Sequence, residues 1–198
     1  MKRNGTRSLL IATGLLLILA AVGLTGYNLL SARAAEERAE AAMDVIAAEV
    51  SPAPVEEVPL YKIDPNVSMP EITVNDIAYV GYLSVPALEL DLPVITRTTD
   101  YYLTVAPCRF SGTAYQGNLV IGAHNYSTHF GRLKELRYGD TVTFTDMDGN
   151  LFVYEVANIE TLTPDRDEYL RESEYPLSLY TCTVGGRTRL TVRCVKTE

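Results

Sequence analysis

The stretch that decides the fold is residues 176–192, which read PLSLYTC, TVGG and RTRLTV in succession. The first part predicts a buried strand that ends at Cys182, the second part a turn, and the third part an alternating strand that returns. A cysteine at a strand end, with an arginine on the returning strand, places a thiol beside a fixed positive charge. A thiolate forms and reacts in that setting.

A second apolar strand ends in a histidine. Residues 119–124 read LVIGAH, and a histidine at the end of such a strand can act as an acid or a base. The chain has two histidines, and a cysteine acyltransferase needs one of them to give a proton to its leaving amine. The rival to His124 is His129, which closes the polar segment NYSTH and is predicted to lie in an exposed loop.

Two arginines compete for the position beside the cysteine. Arg187 and Arg189 are two residues apart on the predicted returning strand, so their side chains would share one face. The direction of the side chains therefore does not decide which of the two arginines lies beside the cysteine. Arg193 would also point to this face of the strand, but it lies further from the turn.

These elements, in this order, resemble the sortase family of Gram-positive surface transpeptidases over roughly residues 79–197. The family motif is Thr-Leu-x-Thr-Cys, followed by an arginine early in the next strand. Here the motif is SLYTC at 178–182, so Ser178 keeps the hydroxyl, and Arg189 directly precedes the LTV run. The resemblance implies that Cys182 is the nucleophile, His124 the acid and base, and Arg189 the oxyanion clamp.

The resemblance also implies a reaction and its partners. Cys182 would cleave a C-terminal sorting signal of the Leu-Pro-x-Thr-Gly type on a surface protein or pilin. An amine of a cell wall precursor or of a pilin would then take the acyl group. This chemistry requires no metal and no organic cofactor. The alternatives are another extracytoplasmic Cys–His hydrolase or L,D-transpeptidase, and a non-catalytic anchored β-domain.

The N-terminus predicts a membrane anchor. Residues 9–30 carry no charge and are long enough to cross a bilayer as a helix. Positive residues precede them, so residues 1–8 are expected to be a cytoplasmic tail and the rest extracytoplasmic. A cleaved signal peptide is the alternative, because residues 32–34 (ARA) fit a cleavage site, although the apolar run exceeds the usual signal core of about 7–15 residues.

The remaining chain divides into residues 31–75, a stalk and linker, and residues 76–198, the catalytic domain. The stalk is rich in Ala and Glu and predicts helix until the prolines at 52 and 54. The domain predicts about eight short strands and a few short helices, which favours a mainly β fold and a closed eight-stranded barrel of the sortase type. Pro93 predicts an edge strand.

The net charge, the cysteines and one acidic segment bear on possible partners, disulfides and metal sites. The net charge of −8 makes nucleic acid an unsuitable partner. Cys108 and Cys194 either form a disulfide or serve as two small buried hydrophobic residues. Residues 146–150 (DMDGN) predict a hairpin turn, and the calcium alternative lacks the remaining ligands of an EF-hand loop.

Overall fold

The computed structural model describes residues 3–50, 58–163, 167–171, 174–183 and 185–197. The predicted end of the stalk at Pro52 and Pro54 lies outside the described residues. So do positions 164–165 of the loop after β7, and Val184 of the predicted TVGG turn.

Nine strands and a few helices make up the described chain. The strands are β1 Ile72–Val74, β2 Ile77–Val85, β3 Leu90–Ile95, β4 Cys108–Ser111, β5 Leu119–Ala123, β6 Thr141–Asp146, β7 Leu151–Leu162, β8 Leu177–Cys182 and β9 Arg189–Lys196. The α-helices are α1 Arg3–Glu49, α2 Leu60–Ile63, α3 Asp100–Leu103 and α4 Asp167–Arg171. Two short 3-10 helices, η1 and η2, span Pro86–Leu88 and Leu133–Glu135.

The strands close into a barrel. Their order is β1-β2-β3-β4-β5-β8-β9-β7-β6, and β2 also pairs with β6. That second pairing joins the two ends, so β2 to β9 form the predicted closed barrel of eight strands, with β1 added beside the start of β2. Full closure removes sheet edges that would otherwise expose unpaired backbone groups.

Inward-facing side chains fill the barrel. Apolar residues alternate along the strands, as a pleated chain with one face on a core requires. The largest fully buried apolar side chains include Leu83, Leu119, Ile121, Phe144, Phe152 and Tyr154. This packed interior makes the barrel a rigid frame for the residues at the strand ends.

The predicted stalk is helical and lies against the barrel. Helix α1 runs without a break from the apolar N-terminal segment to Glu49. Its second half buries a stripe with spacings of three and four residues, as one face of a helix does, and the helix contacts β3 and β1. The buried residues of this stripe are Ala35, Ala39, Ala42 and Ile46.

Strand β3 corrects the edge prediction at Pro93. The strand lies between β2 and β4, but β4 pairs with it only at Ile95 opposite Cys108. Pro93 is opposite Tyr82 of β2, and at that position no β4 residue pairs with the other side. Helix α1 contacts β3 instead, so an interior strand can accommodate a proline there.

Cys108 and Cys194 do not form a disulfide, so the second alternative, two small buried side chains, holds. All three cysteines are free, and these two are fully buried. Cys108 lies on β4 and Cys194 on β9, with β5 and β8 between them. Three strand spacings amount to about 14 Å, far beyond disulfide reach. Both residues therefore act as small core side chains.

The acidic segment 146–150 forms the predicted hairpin turn between β6 and β7. The buried Asp146 carboxylate accepts hydrogen bonds from the Asp148 and Asn150 backbone N–H groups at 3.0 and 2.9 Å. It also accepts from Asn150 Nδ2 at 2.9 Å and from the Tyr115 hydroxyl at 2.7 Å. These four donors account for the acidic residue in the turn.

Candidate active site

One end of the barrel brings the three predicted site residues together. Ala123, the last residue of β5, pairs with Thr181 in the parallel neighbour β8. His124 follows Ala123 and Cys182 follows Thr181, so the histidine and the cysteine lie at the ends of neighbouring strands about 4.8 Å apart. On the other side of β8, Cys182 pairs directly with Arg189 of β9. The cysteine therefore stands between the histidine and the arginine.

The turn between β8 and β9 closes through its threonines. Thr183 N donates to Thr188 O at 2.8 Å, and the two threonine hydroxyls are 2.7 Å apart. Gly185 and Gly186 adopt φ angles of +85° and +67°, a region that glycine occupies without strain. The GG pair in the sequence is thus the local cause of the tight return that sets Arg189 opposite Cys182.

Cys182 differs from the other two cysteines in exposure. It is exposed at the end of β8, whereas Cys108 and Cys194 are buried. Burial raises the pKa of each buried thiol to about 12, so both remain protonated and unreactive. Among the three thiols, only that of Cys182 is open to a substrate.

His124 is half-buried at the end of β5. Burial lowers the pKa of its imidazole, and the Asp100 carboxylate acts in the opposite direction. Phe130 N donates to the His124 carbonyl at 3.2 Å, and the Tyr126 ring lies 5.0 Å from the His124 ring. The histidine is therefore held at the strand end with its ring near the protein surface.

The prediction that His129 lies in an exposed loop is wrong. The side chain is fully buried, and neither ring nitrogen makes a hydrogen bond with any described residue. Burial first, and His124 second, lower its pKa to about 4. Backbone hydrogen bonds from His129 N and Gly131 N to Tyr126 O fold the segment inward, which its polar composition conceals. A buried imidazole cannot serve a substrate.

Arg189 begins β9, and Arg187 does not share its strand face. Arg187 lies in the preceding turn and is exposed, so the predicted strand starts two residues too early. The Arg189 guanidinium lies over the Tyr180 ring, 5.3 Å from its centroid. Partial burial lowers its pKa, although a guanidinium stays charged in proteins. This fixed cation sits directly across from the thiol.

Sequence reasoning gave Arg193 no role, but the structure does. Its side chain is 1% exposed, and its Nε donates to the Glu160 carboxylate at 2.8 Å. Its Nη1 donates to the Ser178 hydroxyl at 2.9 Å, across the β8–β9 pairing. Ser178 is the position where the motif departs from the family threonine, so the retained hydroxyl has a structural use. The signal for this in the sequence is that Arg193 follows Arg189 by four residues, which places both side chains on the same face of the strand.

An apolar floor adjoins the strand ends. The Tyr180 ring lies over Gly122, where an added Cβ would come within 2.5 Å of the ring, so this position requires glycine. Tyr180 meets Phe110 edge-on, with the ring centroids 5.3 Å apart. Val120, Leu162 and Leu170 complete the cluster, which includes α4. A peptide lying across this face would reach Cys182.

Fold and site together define the class of protein. A model of the sortase domain matches residues 83–197, which is more than half of the chain. The chain therefore belongs to the sortase family, whose members are cysteine transpeptidases.

Individual relatives agree with this assignment. The chain is 28% identical to sortase A of Bacillus anthracis over 109 residues, or 52% of this chain and 51% of that protein. The match thus spans about half the length of this curated relative.

Solved sortase structures share the fold. Sortase C1 of Streptococcus suis is 25% identical with a TM-score of 0.53, covering 61% of this chain and 73% of that chain. A sortase C of Clostridium perfringens, solved with the C-terminal cell wall sorting motif, is 25% identical with a TM-score of 0.54. That match covers 61% of this chain and 71% of the other.

Proposed function

We propose that this sortase is a membrane-anchored transpeptidase that cleaves a sorting signal through a thioacyl intermediate on Cys182. The observation that carries the proposal is the exposed Cys182, paired with Arg189 and flanked by His124 at the adjacent strand end. A thiol, a titratable base and a permanent cation at one barrel end are the parts that cysteine-based acyl transfer requires.

The geometry supports a two-step reaction. Cys182 Sγ attacks the scissile carbonyl while His124 takes the thiol proton. The resulting oxyanion is stabilised by the Arg189 guanidinium, which carries its charge before the reaction begins. His124 then gives the proton to the leaving amine, and the thioester remains. An incoming amine attacks the thioester, passes a proton to His124 and releases Cys182.

The substrates follow from the family and its relatives. The donor is a surface protein or pilin with a C-terminal signal of the Leu-Pro-x-Thr-Gly type, as the similarity to the Clostridium perfringens enzyme with its sorting motif supports. The acceptor is an amine of a cell wall precursor or of a pilin. None of these steps involves a metal or an organic cofactor.

The first part of α1 is proposed as the membrane anchor. By length and composition it could cross a bilayer, and nearly all its side chains from residue 9 to residue 30 are exposed. We assign residues 1–8 to the cytoplasm, residues 31–75 to the stalk and linker, and residues 76–198 to the extracytoplasmic catalytic domain. The end of the linker already joins the sheet, because β1 pairs with β2. Thr128 Oγ1 donates to Ala32 O at 3.5 Å. This contact is about 3 Å along the helix axis beyond the span, which supports a catalytic end near the bilayer.

The experiment is turnover of Leu-Pro-x-Thr-Gly peptides by the full chain in detergent micelles, with and without a small amine. We expect cleavage in both cases and a new amide product when the amine is present. Hydrolysis that no amine diverts would indicate the hydrolase alternative. A folded protein that neither cleaves the peptides nor reacts at Cys182 with a thiol-directed peptide mimic would indicate a non-catalytic binding domain.

A further inference from the structure

A cavity of about 630 Å³ opens on the barrel wall where β3 and β4 separate. The two parallel strands pair only at Ile95 and Cys108, because β3 ends where β4 begins. Two hydrogen bonds bridge the gap: Arg109 Nε donates to Thr96 O at 2.9 Å, and Thr98 Oγ1 donates to Arg109 O at 3.0 Å. The lining residues, named here the arginine cavity, are Thr96, Arg97, Thr98, Arg109, Phe110, Ser111, Gly112, Thr113 and Arg171.

Positive charge is concentrated in this cavity. Arg97, Arg109 and Arg171 line it, and none of the described residues that line it is acidic. Within the part of the chain that the structure describes, none of the three guanidiniums forms an ion pair. The whole chain carries 25 acidic residues and only 17 basic ones. Arg97 also lines a neighbouring cavity with Glu71 and Asp76, but around the arginine cavity itself the three cations meet no described carboxylate, which suits an anion.

Two of the guanidiniums are held in place. The Cζ atom of Arg171 lies over the Phe110 ring, 4.2 Å from the ring centroid, which is a cation–π contact. Arg109 is fixed through its Nε hydrogen bond to the backbone. A pre-positioned guanidinium loses little freedom when it binds, and its planar fork matches the two oxygens of a carboxylate.

Two hydroxyls of the lining residues also lack partners. Thr96 Oγ1 and Ser111 Oγ are buried and make no hydrogen bond to any described residue. Buried polar groups are normally satisfied. An anion with several acceptor atoms would give such donors partners that the protein itself does not supply.

The cavity lies next to the apolar cluster that adjoins the end of β8. Phe110 belongs to the cavity and meets Tyr180 edge-on at 5.3 Å, and Tyr180 precedes Cys182 by two residues on β8. Two residues of a strand span about 7 Å. A peptide that extends along this floor from Cys182 would therefore reach the arginine cavity within about three to five residues.

We infer that the arginine cavity binds a carboxylate of the peptide substrate, about three to five residues from the bond that Cys182 attacks. This inference rests on the proposed function, because the substrate that reaches Cys182 is taken to be a peptide. The carboxylate can belong to the sorting-signal donor or to the amine acceptor, and the chemistry of recognition is the same in both cases.

The test compares matched acidic and neutral substrates. In the donor arm, the sorting peptide carries either glutamate or glutamine at each of the positions that flank its motif. In the acceptor arm, the amine carries either a carboxylate or a carboxamide. The full chain in detergent micelles is compared with the double variant Arg97→Gln/Arg171→Gln. The control is Arg137→Gln, which removes one positive charge from an exposed position that does not line the cavity, and the single variants Arg97→Gln and Arg171→Gln match it in charge.

We expect a preference in kcat/KM of about tenfold for the acidic member in one arm. The double variant should reduce this preference to about one, and Arg137→Gln should retain it. The arm that shows the preference identifies the source of the carboxylate. A wild-type chain without preference in either arm would overturn the inference, and so would a preference that survives in the double variant.

A binding measurement separates this inference from the proposed function. The labelled glutamate peptide and its glutamine twin are titrated by fluorescence anisotropy against full-length Cys182→Ala, with and without the two cavity substitutions. Tighter binding of the glutamate peptide that depends on Arg97 and Arg171 supports the cavity even if the wild type cleaves no peptide. The carboxylate and carboxamide forms of the labelled amine are titrated in the same way, and equal binding within both pairs contradicts the inference even if cleavage is efficient.

Discussion

The middle of β9 and the open end of the β8–β9 pair carry one arginine each, on the same face, with opposite surroundings. In the middle, Arg193 is 1% exposed and bonded to Glu160 and Ser178. At the end, Arg189 lies opposite the exposed thiol of Cys182. The difference is position along the ladder. Deep in the sheet, a guanidinium must be neutralised by the protein, whereas at the strand end it can serve a substrate.

The largest effect should come from the cysteine at the open end. We expect Cys182→Ala to reduce peptide turnover by on the order of 10⁴–10⁶-fold while the barrel remains folded, because the nucleophile is lost. The matched variant is Cys194→Ala, which removes a buried thiol from the opposite end of the same strand pair, where Cys194 pairs with Leu177. It should retain turnover within a few-fold and lose about 1 kcal/mol of stability. Efficient turnover by folded Cys182→Ala would end the assignment.

The next effect tests the middle of β9. Glu160→Leu leaves the Arg193 guanidinium buried without its countercharge, and we expect a loss of about 3–5 kcal/mol in the free energy of unfolding. The double variant Glu160→Leu/Arg193→Met should recover much of that loss, since an apolar pair has no buried charge to solvate. Denaturant unfolding of the full chain in micelles measures both. A double variant no more stable than Glu160→Leu would show that the loss does not come from the unpaired charge of Arg193.

The third effect returns to the open end. We expect Arg189→Lys to lower turnover by on the order of 10²–10³-fold, because lysine keeps the charge but loses the planar fork. Arg187→Lys should have a mild effect, since Arg187 is exposed in the turn outside β9. Turnover of one sorting peptide by both variants decides the matter. A larger loss at Arg187 would move the oxyanion role to that residue.

Sequence patterns predicted the barrel, the strand ends at His124 and Cys182, and the hairpin at Asp148 because each depends on local periodicity and turn chemistry. Sequence patterns did not predict features that depend on contacts between residues distant in the sequence or on the folding of a loop. The polar segment around His129 folds inward through backbone hydrogen bonds to Tyr126, and no pattern in NYSTH indicates this. The pairing of Arg193 with Glu160 joins residues 33 positions apart, which only the register of β7 against β9 reveals.

The two histidines differ in the same way, since His124 lies at a strand end and His129 in the interior. The burial of His129 should lower the stability of the folded protein only at acidic pH. The pKa of His129 falls from 6.5 to about 4 in the folded protein. The unfolded chain therefore binds more protons between those values, so the contribution of His129 to stability is complete above pH 6.5 and is lost as the pH falls towards 4. The full loss amounts to about 3 kcal/mol.

Replacing the buried ring by a hydrocarbon should remove this dependence. We expect His129→Phe to lose less stability than the wild type between pH 6.5 and pH 4, by up to about 3 kcal/mol. Unfolding of both full-length proteins across this range provides the measurement. Parallel pH profiles for the two proteins would show that His129 does not titrate as its burial requires.

The open end of β8–β9 is tested most directly by intact-protein mass spectrometry of the full chain after brief incubation with a sorting peptide. The account predicts a mass increase equal to the acyl part of the peptide, located on Cys182 by peptide mapping and removed by an added amine. Turnover accompanied by an adduct on any other residue, or an adduct on Cys182 that no amine displaces, would contradict it.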